Sequence, residues 1–149
     1  MTRRDFLRRA LLLGAPAVCA VDGYAVERHW LAVREVDLSP NRPNGTRCRI
    51  VHFSDTHYRG DRTFLEEVIG RINQAEPDLV CFTGDIVDNP DYLDETLGLF
   101  KKIDRPLYGC PGNHDFWNQT LMQTIRDAFA ATGGAWLSDA EVVVGDGCV

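Results

Sequence analysis

The 149-residue chain is 44% hydrophobic and 26% charged, which suits one folded domain and excludes collagen-like, low-complexity and wholly disordered chains. Its 16 Lys and Arg against 22 Asp and Glu give a net charge of -6, which argues against an electrostatic nucleic-acid surface. Any phosphate-bearing partner therefore needs another source of positive charge.

The charge is unevenly placed. Arg3, Arg4, Arg8 and Arg9 face Asp5 alone, so residues 1–20 carry +3 and the remaining residues -9. The apolar run Ala10–Ala20 spans 11 residues, short of the roughly 20 that a membrane-crossing helix needs. A basic start, a short apolar stretch and small residues at Ala15/Ala17 or Val18/Ala20 are the layout of a secretory signal. Thr2-Arg3-Arg4-Asp5-Phe6-Leu7-Arg8 resembles the twin-arginine export motif. That resemblance implies the twin-arginine machinery as a partner and a periplasmic location, or one on the outer face of the cytoplasmic membrane. The competing reading is a basic amphipathic helix of the mature chain, and Gly14 and Pro16 count against it. A lipid anchor at Cys19 is disfavoured because Val18 stands where a small residue is expected.

Beyond this segment, strands and helices alternate. Leu31, Val33, Val36 and Leu38 predict an edge strand, and Ser39–Gly45 is a loop by composition. Arg49–Phe53 predicts a short strand. Asp61 can cap a helix in which Phe64, Leu65, Val68, Ile69 and Ile72 recur at three and four, with Pro77 past its end. Leu79–Thr83 predicts the next strand and Tyr92–Lys102 a second helix with Leu93, Leu97 and Phe100 on one face. Pro106–Gly109 predicts a third strand, Leu121, Ile125 and Phe129 a third helix stopped by Gly133-Gly134, and Trp136-Leu137 and Val142–Val144 two further strand pieces. Cys48, Cys81, Cys110 and Cys148 form no Cys-x-x-Cys pair, so buried thiols are expected, with a disulfide open in an oxidising compartment.

This order predicts an α/β fold with a mostly parallel sheet, right-handed crossovers and covering helices. Loops after parallel strands share one edge. Ser54-Asp55-Thr56-His57, Gly84-Asp85-Ile86-Val87-Asp88 and Gly112-Asn113-His114-Asp115 would therefore meet there. Carboxylates, imidazole and an amide without thiolate suit a divalent ion such as manganese, iron or zinc. Asp85 has two carboxylate oxygens with which to bridge two cations, and two ions about 3.5–4 Å apart can activate water and neutralise a phosphoryl group.

Asp55-x-His57, Gly84-Asp85-x-x-Asp88 and Gly112-Asn113-His114-Asp115 resemble the first three motifs of the calcineurin-like metallophosphoesterases, in order. The lead-in Ile50–Asp55 is similar to the exported or membrane-associated branch that includes relatives of UDP-2,3-diacylglucosamine hydrolases. The resemblance implies half of a β-sandwich flanked by helices and a hydrolase acting on phosphoesters, through water activated by a dinuclear metal centre. It implies a small-molecule or lipid phosphoester as substrate, including lipid-linked or nucleotide-sugar substrates, and peripheral membrane contact. By motif, Asp55 and His57 would bind the first metal, Asp85 would bridge, and Asn113 would bind the second. His114 would protonate the leaving group or steady the transition state, Asp115 would orient His114, and Asp88 would stand behind the ligands as a supporting carboxylate.

The family pattern continues with further imidazole ligands, whereas His29, His52, His57 and His114 are the only histidines here. The domain expectation is a signal peptide over 1–20, an edge strand and loop over 21–46, and the amino-terminal half of a phosphoesterase domain over 47–149. The second metal site is then incomplete, and the alternative function is a truncated, inactive fragment that binds metal weakly. Asp55 and Asp85 could each merely end a strand or cap a helix. Ser54 beside Asp55 and His57 lacks the Gly-x-Ser-x-Gly elbow of a serine hydrolase. Trp117 and Trp136 are expected in core packing, His29 at the surface, and His52 facing a packed layer or the sheet surface.

Overall fold

The computed structural model describes residues 30–38, 48–117 and 122–144. The segment 1–20 expected to be a signal, the loop expected over Ser39–Gly45, His29, Cys148 and the Trp117 side chain lie outside what it describes. Residues 1–40 and 41–149 are separate units. In the first unit, residues 30–38 have no regular secondary structure, and Val33, Val36 and Leu38 are exposed. The edge strand expected over Leu31–Leu38 is thus not seen. Arg34, Glu35 and Asp37 break its apolar pattern, and the segment has no ladder partner among the described residues to offset the entropy of extension.

In the second unit, β1 (Ile50–Phe53), β2 (Leu79–Phe82), β3 (Leu107–Gly109) and β4 (Ala135–Trp136) form one sheet in the order β1-β2-β3-β4. Every pairing is parallel, with Ile50 opposite Leu79, Val80 opposite Leu107 and Gly109 opposite Trp136. Such neighbours need crossover connections, and α1 (Arg62–Gln74), α2 (Leu93–Phe100) and α3 (Met122–Ala130) supply them. The parallel α/β architecture expected from the sequence is therefore formed.

Local chemistry sets the helix limits. The Asp61 carboxylate accepts from the Phe64 N–H at 3.1 Å, satisfying one of the donors that a helix start leaves open. Leu65, Ile69 and Ile72 lie on the buried stripe, and Glu76 turns into the left-handed region at φ 47° just before Pro77. The second helix starts later than expected: Asn89 caps a 3-10 turn over Pro90–Tyr92, and α2 ends at Phe100. Val142–Val144 has no strand pairing among the described residues, and Val143 is exposed.

All three helices pack on one face of the sheet. Val80, Phe82, Leu107 and Trp136 join Leu65, Ile69, Leu93, Leu97, Phe100, Ile125 and Phe129 in a single core. Phe82 sits against Phe100 at 5.2 Å between ring centroids, and Phe129 against Trp136 at 4.8 Å, both edge-on as ring quadrupoles prefer. Trp136 is thus a core residue, as expected. The opposite parity carries Ile50 and His52, both exposed, with Cys81 and Tyr108 half-buried. His52 Nε2 is 2.9 Å from Thr83 Oγ1 on that sheet surface. Two thiols depart from the buried expectation, Cys81 being half-buried and Cys110 exposed, while Cys48 is disulfide-bonded, the alternative that the sequence left open. No helix among the described residues is long and apolar enough to cross a membrane.

Candidate metal centre

Because the strands are parallel, the segments after β1, β2 and β3 leave the sheet on one edge. The first two remain zipped beyond their strands. The N–H groups of Asp55, His57 and Tyr58 donate to the carbonyls of Gly84, Asp85 and Ile86 at 3.0, 3.0 and 3.1 Å, and Tyr58 pairs with Val87 in a parallel bridge. Thr56 Oγ1 adds a hydrogen bond to the Ile86 carbonyl at 2.8 Å. This zipper holds an unusual backbone. Asp55, His57 and Asp85 have φ of 54°, 39° and 61°, a region that costs a residue with a Cβ roughly 1–2 kcal/mol. Such strain collects at functional sites because the surrounding bonds over-determine it.

The second and third segments cross at two glycines. A Cβ on Gly84, itself at φ +89°, would lie 1.9 Å from the Gly112 nitrogen, and a Cβ on Gly112 would lie 2.2 Å from Asp85 Oδ1. Only glycine at both positions permits the approach. Asp115 fastens the crossing: its Oδ2 accepts from the N–H groups of Asp85 and Gly112 at 2.8 and 2.9 Å, and its Oδ1 from Ile86 N–H at 3.1 Å. These are charge-assisted bonds within a buried setting. The His114 N–H donates to Asp85 Oδ1 at 2.8 Å, so Asp85 is held by one oxygen while Oδ2 turns toward His57.

His57 Nε2 stands 3.8 Å from Asp55 Oδ1 and 3.5 Å from Asp85 Oδ2, and one ligand atom from each residue fits within a 4.8 Å cluster. Metal–ligand bonds of about 2.0–2.2 Å place tetrahedral donors roughly 3.4 Å apart, so the trio needs little adjustment to share an ion. Asp88 Oδ1 lies 2.6 Å from His57 Nδ1. A carboxylate there holds the proton on Nδ1 and leaves the Nε2 lone pair facing Asp55 and Asp85, the usual support for a metal-ligating histidine. Three electron-rich atoms converging without thiolate call for a hard or borderline divalent cation.

A second group joins His57, Asp88 and His114. The two imidazoles meet edge to face at 4.7 Å, and His114 Nδ1 is 3.5 Å from the same Asp88 Oδ1. Burial alone would raise the Asp88 carboxyl, but hydrogen bonds from His57 and Arg59, with the guanidinium charge, outweigh it and hold the pKa below the ordinary Asp value. The carboxylate thus remains an acceptor at neutral pH.

Of the residues singled out from sequence, Asp55, His57 and Asp85 converge directly. Asn113 is exposed on the loop between Gly112 and His114. The arrangement differs from expectation at Asp115, whose oxygens are committed to backbone amides of the crossing; the carboxylate placed at the His114 ring is Asp88. One further contributor carried little sequence signal: Arg59, which pairs with Asp88 Oδ2. Gly84 and Gly112, the leading glycines of the second and third motifs, allow the loops to touch.

The sequence pattern described as calcineurin-like phosphoesterase matches residues 48–145. The chain is 37% identical over 132 residues to an uncharacterised metallophosphoesterase, YkuE, of Bacillus subtilis (strain 168), covering 77% of this chain and 45% of that protein. It is also 39% identical over 82 residues to a protein of Arcobacter nitrofigilis described as a probable glycerophosphodiester phosphodiesterase, GpdQ, covering 44% of this chain and 29% of that one. The chain therefore spans less than half the length of each of these relatives.

Asp115→Asn tests the structural assignment. It presents an amide donor, or a weaker neutral acceptor, to backbone N–H groups, and should cost about 1.5–3 kcal/mol in urea unfolding. Divalent-ion affinity should fall with it because the loop crossing loosens. Unchanged stability would contradict the joint described here.

Proposed function

The chain belongs to the calcineurin-like phosphoesterase family, and on that premise we propose that it carries the first-metal and acid-bearing half of a dinuclear phosphoester hydrolase. The observation that carries this reading is the convergence of Asp55, His57 and Asp85 within 4.8 Å on the edge that also presents His114. When bound, divalent ions supply the positive charge that a chain of net charge -6 lacks, polarise the phosphoryl group and acidify water. Asp55, His57 and Asp85 would hold the first ion. Asp85 would be shared with a second ion, to which Asn113 would offer a neutral oxygen.

The remaining steps belong to the chain itself. Asp88 orients His57 through Nδ1 and stands near His114 Nδ1, so His114 Nε2 is the nitrogen that would protonate the departing oxygen. The backbone bond from His114 N–H to Asp85 fixes the acid relative to the ligand that bridges. A small phosphodiester substrate is in keeping with the description of the Arcobacter relative as a probable glycerophosphodiester phosphodiesterase. The membrane-associated branch suggested by Ile50–Asp55 extends the substrate class to lipid-linked or nucleotide-sugar esters.

Export is part of the same reading. It is supported by Thr2-Arg3-Arg4-Asp5-Phe6-Leu7 ahead of the Ala10–Ala20 run, and by the disulfide at Cys48, since disulfides persist in oxidising compartments. Replacing Arg3 and Arg4 together by Lys should retain the protein in the cytoplasm by fractionation. Export at the wild-type level would remove the twin-arginine assignment.

In a turnover-competent preparation, Asp85→Asn should lower metal content and manganese-dependent hydrolysis of bis(p-nitrophenyl) phosphate together. His114→Asn should lower turnover by about 10²–10⁴-fold while metal content stays near wild type, as expected for loss of an acid and not a ligand. Metal loss in His114→Asn would reverse the division of roles.

A further inference from the structure

Arg59 is two-thirds exposed, yet its position is fixed by more than its ion pair. The preceding residue, Tyr58, is buried, bridges to Val87 and packs edge-on against Tyr92 at 5.9 Å. Continuing that parallel register by one residue sets Arg59 opposite Asp88. Gly60, at φ +95°, then turns the chain away, in a place where a Cβ would stand 3.2 Å from the Tyr92 ring. The guanidinium reaches Asp88 Oδ2 through both Nε and Nη2.

Asp88 consequently divides its oxygens. Oδ1 takes the His57 Nδ1 side, with His114 Nδ1 at 3.5 Å, and Oδ2 takes Arg59. A carboxylate held only at Oδ1 could rotate about its χ2 bond, which is broad for Asp. A planar guanidinium fixed on the other oxygen restrains that rotation.

We propose that Arg59 is a positioning residue: by bracing Asp88 Oδ2 it keeps Oδ1 on His57 Nδ1, and so keeps His57 Nε2 aimed at the divalent ion held with Asp55 and Asp85. The inference rests on the metal reading above and adds a residue from outside the three loop motifs. An exposed Arg–Asp pair by itself contributes little to stability. The effect belongs instead to the tautomer and aim of one imidazole.

The test compares the chain with Arg59→Gln and Arg59→Lys, using long-range proton–nitrogen NMR of the histidine rings without metal and manganese titration with it. In the wild type, His57 should show one tautomer with the proton on Nδ1. Arg59→Gln should let the ring average between tautomers and should weaken manganese binding about tenfold, the lower end of what loss of an outer partner costs. Arg59→Lys should recover most of both, since a cation still faces Oδ2. Urea midpoints should stay close together because Arg59 is outside the core.

A wild-type tautomer and manganese affinity in Arg59→Gln would overturn the proposal and leave Arg59 as a surface ion pair. Weaker binding of inorganic phosphate with no change in tautomer or metal affinity would also overturn it, assigning Arg59 to the substrate anion. If the wild-type chain bound no manganese, the metal reading would fail, while the metal-free tautomer comparison would still decide the brace.

Discussion

The buried Asp115 carboxylate is the joint on which the site depends. By accepting from the N–H groups of Asp85, Ile86 and Gly112 it ties the segment after β2 to the segment after β3. That bond set, the Gly84–Gly112 contact and the extended zipper to Asp55–Tyr58 hold three side chains in left-handed conformations that an isolated loop would abandon. The sheet supplies the common edge; Asp115 supplies the fixed separation.

Electrostatics then assigns the edge its chemistry. Asp55, Asp85 and Asp88 surround His57, and only Arg59 brings formal positive charge by a direct pair to this carboxylate set among the described contacts. A divalent cation at His57 Nε2 would relieve the convergence of like charges and electron-rich atoms, as membership of the phosphoesterase family also implies. Asp88 links His57, the proposed ligand, to the proposed acid His114 through a single oxygen, so the orientation of one imidazole bears on the other.

Much of this was legible in sequence because apolar runs and helical spacing are local signals. The β1, β2 and β3 apolar runs, the Asp61 cap and the Leu65/Ile69/Ile72 stripe each had neighbours in the chain to announce them. The Leu31–Leu38 and Val142–Val144 strands were misread because a strand also needs a partner, which short apolar spacing does not supply. The role of Asp115 was hidden by its adjacency to His114. A 3-10 turn begins at Asp115, and the carboxylate points into the loop crossing. Arg59 was illegible because its partner is 29 positions away and becomes a neighbour only through the parallel register.

The most direct measurement of the central claim is anomalous diffraction from crystals of the chain grown with manganese. The account predicts a peak bounded by Asp55, His57 Nε2 and Asp85 Oδ2, with Asp88 on the far side of the His57 ring and Asp115 still bound to the backbone. A peak at another cluster, or ordered manganese that leaves this trio untouched, would contradict it.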